Sequence, residues 1–180
     1  MHASGLDLNG AQLRYMAQGY TAQGRPADYL PSGLLGGAWA MRASIKDMGI
    51  YLKAAAGDAS TPAPLRRAMR LAQTPYYDLT SEGMQFGLGW VITPFNRANQ
   101  FQRLIRRPEH YHFIPYRGRK ILHPRFNPYA LIGKTGATDG FRAYMAVIPA
   151  RQVGIVVLTN RFTRCNGRLT SLANEILLRE

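Results

Sequence analysis

Phe141-Arg142-Ala143-Tyr144-Met145-Ala146-Val147-Ile148, then Pro149-Ala150-Arg151-Gln152, then Val153-Gly154-Ile155-Val156-Val157-Leu158: two apolar runs flank four turn-forming residues. Apart from Arg142 the first run is apolar at odd and even positions alike, and side chains alternate across a strand, so both faces must be covered. The short turn makes the pair antiparallel. The expectation is an antiparallel hairpin in the middle of a sheet covered on both sides. Downstream, Leu169, Leu172, Ala173, Ile176 and Leu177 place an apolar stripe on a final helix that should lie across that sheet. Upstream, Phe86, Leu88, Trp90 and Ile92 alternate with Gly87, Gly89 and Val91, which reads as one strand with a closely approached second face.

Before residue 84 the period is helical. Ser44-Ile45-Lys46-Asp47 fits a capping box in which Ser44 accepts a first-turn N–H and Asp47 reaches back to the Ser44 N–H. Ile45, Met48, Leu52 and Ala55 follow at helical spacing, and Gly57 supplies a left-handed stop. A second helix is expected near Leu65 to Gln73, with Leu65, Met69 and Ala72 on one face. Leu13 to Tyr20 and Gly24 to Gly37 are punctuated by Gly and Pro and read as loop with short ordered pieces. The expected organisation is a helical subdomain's end with connecting loops over 1–83, and an antiparallel sheet with a C-terminal helix over 84–180. Within the latter, 97–125 reads as a basic, Pro-interrupted surface excursion: Arg97, Arg103, Arg106, Arg107, Arg117, Arg119, Lys120 and Arg125 are opposed only by Glu109.

The 180 residues carry 23 Lys plus Arg against 10 Asp plus Glu, a formal charge of +13, which favours anionic partners. The single cysteine, Cys165, excludes an internal disulfide and a cysteine-built metal or redox framework. His110, His112 and His123 lack carboxylate or cysteine companions and read as surface histidines rather than metal ligands. The aromatics within the basic run would suit nucleic acid, but a solvated arginine-rich loop is the simpler reading. Trp39 and Trp90 read as core or pocket-wall aromatics. Met1 to Gly10 has no basic start, long apolar run or small-residue cleavage site, and no run is long enough for a membrane helix.

The chemistry concentrates at Lys134-Thr135-Gly136, between the apolar Ala130-Leu131-Ile132 and the hairpin. A cation and a hydroxyl side by side suit a substrate carboxylate, and a glycine keeps a cleft open. In order along the chain stand Tyr15-Met16-Ala17-Gln18-Gly19-Tyr20, the helix Ala43 to Ala54 with its Ser-x-x-Asp-Met core, Gln85-Phe86-Gly87-Leu88-Gly89-Trp90, Lys134 to Phe141, Ile148-Pro149, Gly154 to Leu158 and Asn160-Arg161. These blocks resemble, in sequence and spacing, the C-terminal part of class C serine β-lactamases, within the penicillin-binding-protein-like family. The resemblance implies a partial β-lactamase/transpeptidase fold of the α/β (or α+β) class: an antiparallel sheet, a C-terminal helix packed on it and a few helices of the α-domain. It implies that Lys134 holds substrate and supports proton traffic, that the Thr135 hydroxyl and Gly136 receive the substrate carboxylate, and that the backbone N–H of Ala137 is half of an oxyanion hole. It places Asn160, Asn166 and Arg168 near the carboxylate pocket. It implies no metal and no cofactor, a small carboxylate substrate of the β-lactam or D-Ala-D-Ala kind, and a periplasmic setting for the family.

The departure is as informative. The family nucleophile is the serine of Ser-x-x-Lys, but Ser4, Ser32, Ser44, Ser60, Ser81 and Ser171 are each followed three residues later by something other than lysine. No Tyr-x-Asn or Ser-x-Asn occurs either. In the family both motifs precede the Tyr-Ala-Gln-Gly-Tyr segment, so the expectation is a truncated copy, inactive alone, marginally stable and open to a complementing N-terminal segment. Esterases and D,D-peptidases sharing the fold, and a non-catalytic polyanion-binding module, remain the alternatives.

Overall fold

The computed structural model describes residues 1–31, 33–34, 36–79, 83–95, 118–162 and 166–179, with the side chains of 166 and 167 left out. Two short helices, α1 (Gly10–Leu13) and α2 (Gly36–Trp39), and a two-stranded ribbon of β1 (Gly19–Tyr20) with β2 (Pro26–Ala27) precede two longer helices. These are α3 (Ile45–Ala56) and α4 (Ala63–Ala72). A seven-stranded antiparallel sheet follows, built from β3 (Tyr77–Leu79), β4 (Met84–Phe86), β5 (Val91–Thr93), β6 (Arg119–Lys120), β7 (Leu131–Ala137), β8 (Arg142–Ile148) and β9 (Val153–Thr159). Across the sheet the order is β6-β3-β4-β5-β7-β8-β9. Helix α5 (Asn166–Arg179) closes the described chain.

The β8–β9 hairpin forms with the expected turn, Gln152 adopting φ 53° to close it while its side chain donates to the Ala56 and Pro149 carbonyls. Alternation then sorts the side chains into two layers. Met145 and Val147 join Ile92, Ile132 and the Ala55–Ala56 end of α3 on one face; Tyr144, Ala146 and Ile148 join Leu131 and the Ala173 and Leu177 side of α5 on the other. The hairpin is covered on both faces, but it does not lie mid-sheet: among the described residues β9 ends the sheet. Apolar side chains on both faces report layers above and below a strand and are silent about its lateral neighbour.

Three further readings are corrected. Gln85 to Ile92 is not one strand but the hairpin β4–β5, registered Gln85 to Ile92 and Phe86 to Val91, with Gly89 at φ 79° in the turn. Close approach does hold at Gly87, where a Cβ would sit 2.3 Å from the Ala72 carbonyl oxygen at the end of α4. On α5 the buried arc is Thr170, Ala173, Asn174 and Leu177, while Leu172 and Ile176 stand about half exposed, because the apolar stripe is wider than the sheet beneath it. On α4, Leu65 faces solvent, and Arg66 turns inward to donate to the Ala59 and Thr61 carbonyls. Of the basic stretch, Arg119 and Lys120 form an outer strand paired with β3; residues 97–117, with His110 and His112, lie outside the described residues. Trp90 is buried and stacks on Tyr51, whereas Trp39 is 42% exposed.

Candidate active site

Strand β7 changes character halfway along. Leu131, Ile132 and Gly133 are paired on one side with Thr93, Ile92 and Val91, and from Ile132 onward β7 is paired on its other side with β8. β5 ends its pairing at Gly133, so among the described residues no strand pairs with Lys134, Thr135, Gly136 and Ala137 on the side turned away from β8. The β4–β5 turn, carrying Gly89 and the buried Trp90, is what stops β5 at that point. Among the described residues, the four residues of the sequence motif are the part of β7 that β5 does not pair with.

The parity of the ladder decides which backbone groups face that flank. At the turn after β7, the Thr138 N–H donates to the Phe141 carbonyl at 3.0 Å and the Phe141 N–H to the Thr138 carbonyl at 3.4 Å. In an antiparallel pair, residues exchanging both bonds alternate with residues exchanging none. Counting back through an unbroken register, Gly136 with Ala143 and Lys134 with Met145 are bonded pairs, while Ala137 with Arg142 and Thr135 with Tyr144 are not. The N–H of Ala137 and the backbone of Thr135 therefore point away from β8. Consistent with this, Lys134 Nζ donates to the Thr135 carbonyl oxygen at 2.8 Å. The Lys134 ammonium, at the Thr135 carbonyl, lies on the edge that the Ala137 N–H also faces, and a cation beside a backbone donor can hold an anion and polarise a carbonyl.

The motif strand is anchored beyond its end. The Thr138–Phe141 turn seats on the β1–β2 ribbon so closely that a Cβ on Gly19 would meet the Phe141 ring at 2.4 Å, and one on Gly140 would meet the Ala27 Cβ at 2.6 Å. Tyr29 stacks on Phe141, centroids 5.8 Å apart, and the Arg42 guanidinium lies over Tyr29. Arg142, opposite Ala137, donates to the Thr138 carbonyl at 2.9 Å and lies 3.7 Å from the Phe162 ring centroid. Burial lowers its pKa and Asp139 opposes that shift. Below Thr135, buried Tyr144 is hydrogen bonded to Asn174 of α5.

Not every expected site residue reaches this edge. Asn160 lies past the end of β9, two strands from Ala137 or ~10 Å, and its amide is committed to the Gln18 carbonyl at 2.8 Å. It ties the Gly19–Tyr20 strand to the sheet rather than facing the β7 flank. Arg168 is exposed on the first turn of α5, and Asn166 opens that helix. Arg142 and Phe141 were missed as supports; the aromatic directly before the only charge in an otherwise apolar strand was the available signal. Of the serines, Ser4 donates to Asp47, the Ser44 hydroxyl accepts from the Asp47 N–H, and Ser60 donates to Asp58, while Ser32 and Ser81 lie outside the described residues. Among the described residues no group of His, Cys, Asp and Glu could hold a metal, and no helix is long and apolar enough to cross a membrane.

A family model described as β-lactamase matches residues 1–177. The chain belongs to the β-lactamase family. It is 31% identical over 180 residues to a β-lactamase of Lysobacter lactamgenus, an alignment covering 96% of this chain and 44% of the relative. In structure it is similar to a D-alanine carboxypeptidase from Burkholderia cenocepacia, with TM-score 0.86 at 28% identity over 100% of this chain and 51% of that one. It is likewise similar to a class C β-lactamase solved with cefoxitin, with TM-score 0.87 at 26% identity, covering 100% and 49%. This β-lactamase-family chain thus spans about half the length of the relatives it matches. The antiparallel sheet and its C-terminal helix are the expected partial β-lactamase fold.

Proposed function

We propose that this chain is the carboxylate-binding and oxyanion-forming half of a serine hydrolase that opens β-lactam or D-Ala-D-Ala-like amides through an acyl-serine, and that the 180 residues alone do not acylate. The observation that supports the reading is the N–H of Ala137, directed away from β8, on the same strand as Lys134 and Thr135. Ala137 donates to the oxygen of the attacked carbonyl, where charge develops. Thr135, with Gly136 giving clearance, receives the substrate carboxylate, and the Lys134 ammonium attracts that carboxylate and favours loss of a proton from a neighbouring hydroxyl. Asn166 and Arg168 flank the carboxylate end; Asn160 acts by fixing the Gln18–Tyr20 segment against the sheet.

Covalent catalysis needs a hydroxyl with a base one helical turn away, and no serine here has one. A complementing segment carrying Ser-x-x-Lys and Tyr-x-Asn, brought against the side of β7 turned away from β8, would complete the site, in the periplasm if the chain shares the setting of its family. Fluorescent penicillin tests both halves of this. The purified chain is expected to take no stoichiometric covalent label. A chimera joining it to the preceding half of a relative is expected to label, and Lys134→Ala in that chimera to slow labelling by about a hundredfold or more. Stoichiometric labelling of the chain alone, or an unaffected Lys134→Ala chimera, would overturn the proposal.

A further inference from the structure

We infer that the outer face of α4 and the adjoining segment 120–125 form a basic, leucine-tipped surface that docks on an anionic lipid bilayer. The surface is built from other residues than the β7 site and stands independently of that site's reading. Arg67, Arg70 and Leu71 are spaced i, i+3 and i+4, which puts them on one face of α4, and all three are exposed. Two contacts set this face beside the strand end. The Tyr76 hydroxyl donates to the Leu71 carbonyl while the Tyr76 carbonyl accepts from the Ile121 N–H at 2.9 Å, and the Arg70 guanidinium lies over Phe126 at 5.9 Å. Lys120, Leu122 and Arg125 are thereby added to the same region, all exposed, with Leu122 at 81% and Leu71 at 60%.

The charge there is uncompensated. α4 contains no acidic residue, and the nearby Asp78 is taken by Arg119 at 3.6 Å. Among the described residues, Arg67, Arg70, Lys120 and Arg125 have no carboxylate partner. Charge alone would suit any polyanion; the leucines decide among them. An aliphatic tip gains nothing against a phosphodiester backbone, whereas it enters the acyl boundary of a bilayer while neighbouring cations hold the headgroups. Phe126 lies beneath Arg70, and the Tyr76 hydroxyl is bonded to the Leu71 carbonyl.

The experiment is co-sedimentation of the full 180-residue chain with vesicles of phosphatidylglycerol and phosphatidylcholine, against phosphatidylcholine alone. Binding is expected only with the anionic lipid. Arg67→Glu with Arg70→Glu should weaken it by at least about tenfold, and Leu71→Ser with Leu122→Ser should abolish retention at physiological salt while leaving some at low salt. Equal sedimentation with neutral vesicles, indifference to the arginine pair, or indifference to the leucine pair together with displacement by duplex DNA would overturn the inference. Circular dichroism reports whether each variant folds. If the α4 pair does not, Lys120→Glu with Arg125→Glu, off the helix, decides the same question.

Discussion

Asp47 shows what a single residue contributes beyond its place in a motif. The Ser44 hydroxyl caps α3 by accepting the Asp47 N–H at 3.1 Å, so half of the expected capping box is present. The other half is not: the Asp47 carboxylate turns to the chain's start and accepts from the His2 and Ala3 N–H groups and the Ser4 hydroxyl. A carboxylate with three donors at hand satisfies more orphan groups there than one reaching back to a single N–H. The Ser4 hydroxyl bond is the main cause of its lowered pKa; burial opposes it, and the two backbone bonds and the terminal ammonium add to the lowering. Because the folded value lies below the unfolded one near 3.8, the carboxylate's stabilising contribution is present above about pH 4 and is lost as pH falls through the folded value. Asp47→Asn is therefore expected to melt below the parent at neutral pH, with the gap closing in acid. Ser44→Ala should cost about 1 kcal/mol at either pH. Thermal melts across pH separate the two; a gap for Asp47→Asn that persists in acid would rule out the charge as its source.

At the scale of elements, what the sequence made legible was whatever leaves a period or a cap. The β8–β9 hairpin, the α3 cap at Ser44 and its stop at Gly57, where φ is 82°, follow from local chemistry and stand as expected. Gln85 to Ile92 misled because Gly87-Leu88-Gly89 keeps the alternation of a strand while supplying the φ that a turn requires. The stretch of β7 beyond β5 was legible only as a motif, since the place where β5 stops depends on that turn. Two glycines in it do different work. Gly89→Ala meets open space but a positive φ, and should cost about 1 kcal/mol. Gly87→Ala drives a Cβ into the Ala72 and Thr74 carbonyls, both backbone atoms that cannot swing aside, and should cost about 3 kcal/mol. Denaturant unfolding of both variants measures this; equal penalties would mean that α4 gives way readily.

For the whole molecule, the outermost strand governs behaviour in solution. β9 runs seven residues, Val153 to Thr159, with no charge and no proline, and among the described residues no strand pairs with its outer side until the chain leaves it, where Asn160 and Phe162 bond to the Tyr20 backbone. Leu158 within it is 39% exposed, and Leu172 and Ile176 of α5 are also about half exposed. Proteins ordinarily protect such an edge with lysine, proline or a bulge, because unpaired N–H and C=O groups recruit another strand. The net charge of +13 opposes association at long range but is screened beyond about 10 Å at ordinary salt. Short-range strand pairing is then free to act, so the isolated chain should associate more as salt rises. Leu158→Lys places a charge on the edge at a half-exposed position, where the cost to folding should stay near 1 kcal/mol. Sedimentation velocity is expected to show concentration-dependent association of the parent at moderate salt and a shift of the variant towards monomer. A parent that stays monomeric and melts cooperatively at high temperature would mean that β9 is protected by its own fold.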